Sequence, residues 1–230
     1  RSTHFPYTTL FRSVVIAAGA QLGAPLGLDG ETADGVIDGI EFLRRVRDGE
    51  CTALSGRVGI IGGGDVAMDC ARVAKRLGGE PAVIYRRTRD EMPAHREELA
   101  GLLSEGIPLR ELTAPKAILA ESGKLTALRC STMTLGEPDS SGRRRPVEVP
   151  GSDFDLPLDH LIAAIGQKPD LAFAADLGLA FNKKGYIVAD EATGATAVPG
   201  IYAGGDCVNG GPATLVKALA DGKKIAAAIL

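Results

Sequence analysis

The chain has 230 residues, 45% hydrophobic and 24% charged, with a formal net charge of −3, enough to bury a real core in one large domain or two small ones. That charge gives no electrostatic reason to expect nucleic acid or an anionic membrane surface as a partner. No apolar run approaches the roughly 18 residues needed to span a bilayer, and no basic-then-apolar leader is present, so the expectation is a cytoplasmic protein. Thirty glycines are the compositional outlier, about twice the usual share of ~7%, and tight phosphate-binding turns are one use for them.

The first thirteen residues, RSTHFPYTTLFRS, show neither helical nor strand periodicity. They look like a translated sequencing-adapter read and are set aside from fold reasoning; a natural loop is the alternative. On the adapter reading the natural protein begins upstream. VVIAAGA follows, and residues 14–18 are a short apolar run ending at Gly19, the pattern of a buried strand and a turn. Residues 20–35, glycine-rich with Pro25, read as a loop. In GVIDGIEFLRRVRDGE, Val36, Ile37, Ile40, Leu43 and Val46 lie near helical spacing, with arginines late in the segment where the helix dipole favours cations, and Gly49 can close the helix.

Residues 57–61 then form a strand that runs into Gly62-Gly63-Gly64-Asp65-Val66-Ala67, a GxGxxG/A pattern with alanine last. Gly62 permits the tight turn, Gly64 lets the backbone approach a pyrophosphate, and Ala67 is small enough for helix to pack on strand. The helix over residues 65–77 directs its N-terminal amides and dipole at the phosphates. The next strand, residues 82–85, ends in Arg86-Arg87, near the position where NAD and FAD sites carry an acidic residue for the ribose 2′-hydroxyl. Guanidinium groups there can grip a 2′-phosphate instead, so NADP(H) is favoured over NAD(H). Arg96, in TRDEMPAHREE, is a third candidate whose reach depends on the fold.

Beyond Gly106 the pattern changes to short strands over residues 107–112, 116–120 and 125–135. The polar stretch GEPDSSGRRRPVEVPGSD, with Arg143, Arg144 and Arg145, reads as a solvated loop. Residues 158–165 form another apolar strand, which meets Gly166 as residues 14–18 meet Gly19. These two strand ends bracket the nucleotide unit, so the unit is inserted into another domain, and Gly19 and Gly166 join the candidate cofactor-binding residues. At the C-terminus, residues 201–203 form a strand leading to Gly204-Gly205-Asp206, and a glycine and proline turn leads into a long helix from about Ala213.

The GGD strand end followed by a helix resembles the FAD-binding C-terminal motif of the two-dinucleotide-domain flavoproteins, which include thioredoxin and glutathione reductases. GGGDVAMDCA, YRRTRDEMPA, LGEPDSSGRRRP and AIGQKPD narrow the resemblance to the glutamate synthase small subunit family, related to the NADPH-binding half of dihydropyrimidine dehydrogenase. It extends over residues 13–230. The fold it implies is α/β, a Rossmann-like NADP-binding domain over residues 57–168 inserted into an incomplete FAD-binding domain made of residues 14–56 and 169–230. It implies that NADPH passes hydride to FAD and that electrons leave through iron-sulfur clusters, which lie in a missing N-terminal region or in a partner. Carried over, Gly62, Gly63, Gly64, Asp65, Val66 and Ala67 hold the pyrophosphate, and Arg86 and Arg87 the 2′-phosphate. Gly205 and Asp206 meet the FAD ribitol, and amides near Ala213 and Thr214 face the isoalloxazine carbonyl edge. No side chain need act as acid or base, because the cofactors carry the chemistry.

The family's cysteine-rich domain and first GxGxxG do not occur in this sequence, and Ala18-Gly19 stands where the family has a threonine before glycine. The partner implied is a larger glutamate synthase-like subunit or ferredoxin. Alternatives are a ferredoxin-NADP transhydrogenase subunit, an orphan flavoprotein reductase of the same family, or a nucleotide-binding chain without turnover of its own. A short-chain dehydrogenase is excluded, since no tyrosine among Tyr7, Tyr85, Tyr186 and Tyr202 has lysine four residues on. Cys51, Cys70, Cys130 and Cys207 form no CxxC, which argues against a thioredoxin-reductase dithiol and against a cysteine-held cluster within this chain.

Overall fold

The computed structural model describes residues 12–139, 142–210 and 213–230. The expectation for the first thirteen residues falls outside this range up to residue 11, as does the Gly211-Pro212 turn. The chain forms two compact units, one of Arg1–Leu22 with Gln167–Leu230 and the other of Gly23–Gly166. One unit is thus inserted within the sequence of the other, but its boundaries differ from those expected. Residues 23–56, assigned from sequence to the outer domain, belong to the inner unit because they supply an edge strand of its sheet.

In the outer unit the first strand is β1 (Val14–Ile16). The inner unit begins its sheet with β2 (Val36–Asp38), followed by α1 (Gly39–Arg47). Val36 and Ile37 are therefore strand residues, not the first turn of a helix. The reason is Asp38, whose side chain accepts from the backbone N–H groups of Ile40 (2.9 Å) and Glu41 (3.0 Å) and so starts the helix at Gly39, three residues later than its apolar spacing suggests. Gly49, at φ +76°, closes that helix as expected. The core continues through β3 (Arg57–Ile61), α2 (Asp65–Arg76), β4 (Glu80–Ile84), α3 (Arg96–Ser104) and β5 (Leu109–Arg110).

A second set of strands follows: β6 (Thr113–Glu121), β7 (Lys124–Pro138), β8 (Arg144–Glu148) and β9 (Phe154–Pro157). Strand β10 (His160–Ala163) returns to the first sheet. That sheet has the order β2-β10-β3-β4-β5, every pairing parallel. The antiparallel sheet runs β9-β7-β6, with β8 paired to the far half of β7. The polar stretch read as a solvated loop is therefore largely a hairpin arm. Its register pairs Thr134 with Val147 and Leu135 with Pro146, and backbone pairing of this kind tolerates polar side chains where both faces are wet.

Strand residues alternate between two cores, as a period of two requires. Val58, Ile60, Val83 and Ile162 pack under the helices with Met68 and Leu102. Ile61, Ile84 and Leu161 face the other way and pack with Leu128 and Cys130 of the antiparallel sheet. The inner unit is a three-layer α/β structure with its parallel strands in the middle.

The outer unit pairs β1 in parallel with β11 (Ile201–Ala203) and ends in α4 (Leu215–Ile229). Its core gathers Ile16, Ala174, Ile187, Ala203 and Cys207. Val14, Val15, Leu215, Val216 and Leu219 are exposed, the two valines about half and Leu215 at 76%.

Candidate nucleotide sites

All five inner strands point the same way, so the turn after β3 and the segment after β4 lie together at the carboxyl edge of the sheet, where doubly wound folds bind ligands. Gly62 has φ +151°, and a Cβ there would run into the carbonyl oxygen of Ala164. Only glycine fits. A Cβ on Gly63 would strike the ring of Tyr85, which is buried and donates its hydroxyl to the Glu91 carbonyl at 3.0 Å. Gly64 differs from both, since a Cβ there would meet nothing within 4 Å. Its bareness leaves room on the open side of the turn, the feature that lets a backbone approach a pyrophosphate. Gly64 is also the N-cap of α2 and has no side chain to bond the first-turn amides, so they remain available to an anion. Ala67 is fully buried and packs under Gly62, with Val66 beside it at the helix start.

The two arginines after β4 are not equivalent. Arg86 is exposed and makes no hydrogen bond or ion pair among the described residues, whereas the Arg87 side chain is only 6% exposed. Arg87 donates from Nη2 to Asp139 Oδ2 and from Nε to the Arg144 carbonyl, both at 2.7 Å. It fastens the β7–β8 hairpin to the segment after β4, so the structure does not offer it to a phosphate in the way it offers Arg86. Arg144, expected in a solvated loop, pairs with the buried Glu91 carboxylate at 2.5 Å. Hydrogen bonds from Thr88 and this guanidinium hold Glu91 below the usual carboxylate range. Arg96 is exposed at the first position of α3 and makes no ion pair among the described residues.

Sequence reasoning missed His95. It lies next to the glycine turn, with Nδ1 2.6 Å from Asp65 Oδ2 and its backbone N–H donating to Asp65 Oδ1 at 2.7 Å. The Ala94 N–H donates to the Gly63 carbonyl at 3.1 Å. No local pattern signals a contact between residues thirty positions apart; only a histidine in the loop after β4 hinted at it.

In the outer unit, Gly205 adopts φ +75° and its N–H donates to Asp221 Oδ2 of α4 at 3.0 Å. Lys217 lies 2.6 Å from the same oxygen and depresses the Asp221 carboxyl. Asp206 Oδ1 is buried and has no hydrogen-bond partner among the described residues. A buried polar oxygen without a donor is costly unless a ligand supplies one. Thr214 caps α4, its hydroxyl accepting from the Lys217 N–H at 3.2 Å, with exposed Ala213 just before it. Gly19, at φ +68°, ends the segment after β1, and Gly166, at φ +152°, ends the inner unit, its carbonyl accepting from the Ala24 N–H at 2.9 Å. Both are turn glycines, and neither is shown as part of a ligand cradle.

The cysteines are all free. Burial pushes the Cys70 and Cys130 thiols up to about 12, which keeps them protonated and inert.

A family model described as pyridine nucleotide-disulphide oxidoreductase matches residues 6–222. The chain belongs to that family. The resemblance to the glutamate synthase small subunit group holds within it: the chain is 37% identical over 232 residues to a putative glutamate synthase [NADPH] small chain of Cereibacter sphaeroides, covering 95% of this chain and 55% of that one. Identity rises to 46% over 223 residues with the NADP(+)-dependent formate dehydrogenase subunit beta of Moorella thermoacetica, covering 95% and 31%. It is 38% over 245 residues with the NADPH-Fe(3+) oxidoreductase subunit beta of Geobacter sulfurreducens, covering 95% and 36%. The chain thus spans about a third of the length of these last two relatives. Among solved structures, Mycobacterium tuberculosis FprA in complex with NADPH superposes with a TM-score of 0.77 at 18% identity, over 95% of this chain and 63% of that one, a likeness of fold. The enzyme class expected from the motifs, a nicotinamide-dependent flavoprotein oxidoreductase, is that of the family. No helix among the described residues is long and apolar enough to cross a membrane.

Proposed function

We propose that the chain is the NADP(H)-binding part, with the C-terminal portion of the FAD-binding part, of an oxidoreductase that passes reducing equivalents from NADPH through FAD to a partner. The observation that carries the reading is the turn at Gly62–Gly64, open on its Gly64 side at the start of α2, with the unpaired Arg86 at the end of the next strand. The turn suits a pyrophosphate and the guanidinium a 2′-phosphate. When bound, the two cofactors supply the hydride chemistry. This chain's residues need only hold and orient them. Gly62, Gly63, Gly64, Asp65, Val66 and Ala67 form the pyrophosphate turn, Arg86 the 2′-phosphate contact, and Arg96 a second cation within the same unit.

For FAD, the test is whether the residues present suit a hydroxyl-bearing ligand, and Asp206 does. Its orphaned Oδ1 needs a donor, and a ribitol hydroxyl is one. The amides at the cap of α4, near Ala213 and Thr214, suit a carbonyl edge. Exposed apolar side chains on β1 and α4 suit a further covering layer such as a first nucleotide-binding unit.

Calorimetric titration of this chain with NADP+ and NAD+ tests the reading. NADP+ should bind more tightly than NAD+; equal affinities, or binding of neither, would overturn it. In the same reading the protein is cytoplasmic, and the chain alone holds FAD weakly and does not oxidise NADPH.

The electron acceptor is a larger subunit carrying iron-sulfur clusters, or ferredoxin. A glutamate synthase-like complex is one reading. The higher identity to a formate dehydrogenase subunit favours a second, in which the partner handles electrons without any amide transfer. The purified native complex separates the two, by assay of formate with NADP+ against glutamine, 2-oxoglutarate and NADPH.

A further inference from the structure

Asp65 poses an electrostatic problem at the site proposed for the pyrophosphate. It is the first residue of α2 and follows Gly64 directly. A carboxylate at a helix N-terminus is usually stabilising, but here it competes with a dianionic ligand for the same amides and the same positive end of the dipole. The structure answers with three contacts from residues 94 and 95. The Ala94 N–H donates to the Gly63 carbonyl (3.1 Å), the His95 N–H to Asp65 Oδ1 (2.7 Å), and the His95 ring nitrogen Nδ1 lies 2.6 Å from Asp65 Oδ2. Both carboxylate oxygens are therefore engaged by one residue.

His95 is also the N-cap residue of α3, in extended conformation with no capping bond from its side chain. Its ring is 71% exposed and so exchanges protons freely with solvent. The charged groups around it are few. Asp65 is in contact, Glu97 and Glu98 follow on α3, and Asp69 lies one turn along α2. Glu98 is paired with Arg72 at 3.0 Å, and Arg96 is the neighbouring cation. The glycine turn itself carries no titratable side chain.

We propose that His95 is a positioning residue of the dinucleotide site: as imidazolium it neutralises Asp65 and holds that carboxylate away from the pyrophosphate, so that NADP(H) binding weakens as pH rises through the titration of His95. The proposal rests on the NADP(H) reading of the glycine turn. Neutral imidazole can keep a proton on Nδ1 and retain the bond, so the geometry persists while the net charge of the pair falls from zero to −1. The change is one of charge beside the ligand. Asp65 raises the His95 pKa above its ordinary value, which moves the transition to higher pH. Linkage makes the effect reciprocal, and a bound pyrophosphate raises the His95 pKa further.

The test is calorimetric titration of the intact chain with NADP+ between pH 6 and pH 9, for the wild type, His95→Asn and Asp65→Asn. Asparagine at 95 can still donate to Asp65 but does not titrate. The 2′-phosphate titrates equally in all three proteins and cancels from the comparison. Wild-type affinity should fall roughly 3- to 10-fold more than that of His95→Asn over this range, as expected for one added charge near the ligand in a partly solvated site, while in Asp65→Asn the fall should move to lower pH with the ring. NMR titration of the His95 ring gives a readout independent of affinity: its pKa should fall in Asp65→Asn and rise when NADP+ is bound. Parallel pH profiles in wild type and His95→Asn, or a His95 pKa that NADP+ does not move, would overturn the proposal. Should His95→Asn not fold, the ring titration of the unmutated chain with and without NADP+ decides alone. Absence of NADP+ binding in every protein and at every pH overturns the site reading itself, and this inference with it.

Discussion

Arg87 and Asp139 meet at 2.7 Å across fifty-two residues of sequence, and the arginine side chain is almost wholly buried in doing so. The pair, with the Nε bond to the Arg144 carbonyl, makes Arg87 a fastener between β4 and the β7–β8 hairpin. Arg87→Ala should therefore cost about 2–3 kcal/mol of stability, below the full penalty for breaking a wholly buried pair because Asp139 is partly exposed. Chemical denaturation reads this directly. A variant that unfolds like the wild type while losing only NADPH affinity would return Arg87 to the phosphate site.

Arg86→Ala should behave in the opposite way. The side chain is exposed and unpaired among the described residues, so stability should hold within about 0.5 kcal/mol. NADPH binding should weaken roughly 10- to 100-fold, the value of one charge-assisted contact, with NADH binding little changed. The ratio of the two dissociation constants checks it.

Gly62 and Gly64 separate folding from binding. Gly62→Ala places a Cβ on the Ala164 carbonyl at a φ that L-residues avoid, and should destabilise the inner unit by about 2 kcal/mol or more. Gly64→Ala meets open space at an ordinary φ of −98°. It should melt within a few degrees of the wild type and yet bind NADP(H) several-fold more weakly, because the added methyl stands where the pyrophosphate approaches. Equal affinity in Gly64→Ala and wild type would remove this turn from the site.

Asp206→Ala, made in the intact flavoenzyme, should release FAD more readily on dilution. Its Oδ1 has no partner within the described residues, so the substitution breaks no hydrogen bond at that atom and costs the fold little. Visible absorbance after gel filtration measures the retained flavin, and stoichiometric retention would count against a ribitol contact.

Acid should destabilise the protein through its paired carboxylates. Hydrogen bonds from Arg57 to Asp159, from Arg129 to Asp155 and from Arg72 to Glu105 hold these groups below their ordinary values, and Arg44 and Arg45 bring Glu41 to about 2. A depressed folded-state pKa means stability that is present above the unfolded value and lost as pH falls through the folded one. The decline should begin near pH 4.5 and continue toward pH 2. These side chains are a quarter to a half exposed, so salt should blunt the effect. Melting curves at several pH values, with and without added salt, test both statements.

Much of this protein was legible in the order of its residues. The strand, glycine turn and helix over residues 57–76 follow from local chemistry alone. A strand carrying Val58, Ile60 and Ile61 leads to a φ that only glycine accepts, and then to small residues that let a helix pack on a strand. The terminal GGD strand end and the insertion of one unit within the other could likewise be read from motifs and their order. What tertiary structure decided lies wherever one residue type serves two purposes. Val36 and Ile37 have helical spacing, but a capping Asp38 and a parallel partner in β10 make them strand. Arg86 and Arg87 are identical and adjacent, and only the hairpin of residues 133–148 buries one and leaves the other to solvent. Residues 136–148 of it looked like a loop because the described ones are exposed or only half-buried, so backbone pairing left no apolar alternation to read. Asp65 fits a phosphate-binding motif by position, but its partner, His95, arrives from the loop before α3. Contacts of that kind depend on which segments the sheet order brings side by side, and no local period in the sequence encodes that order.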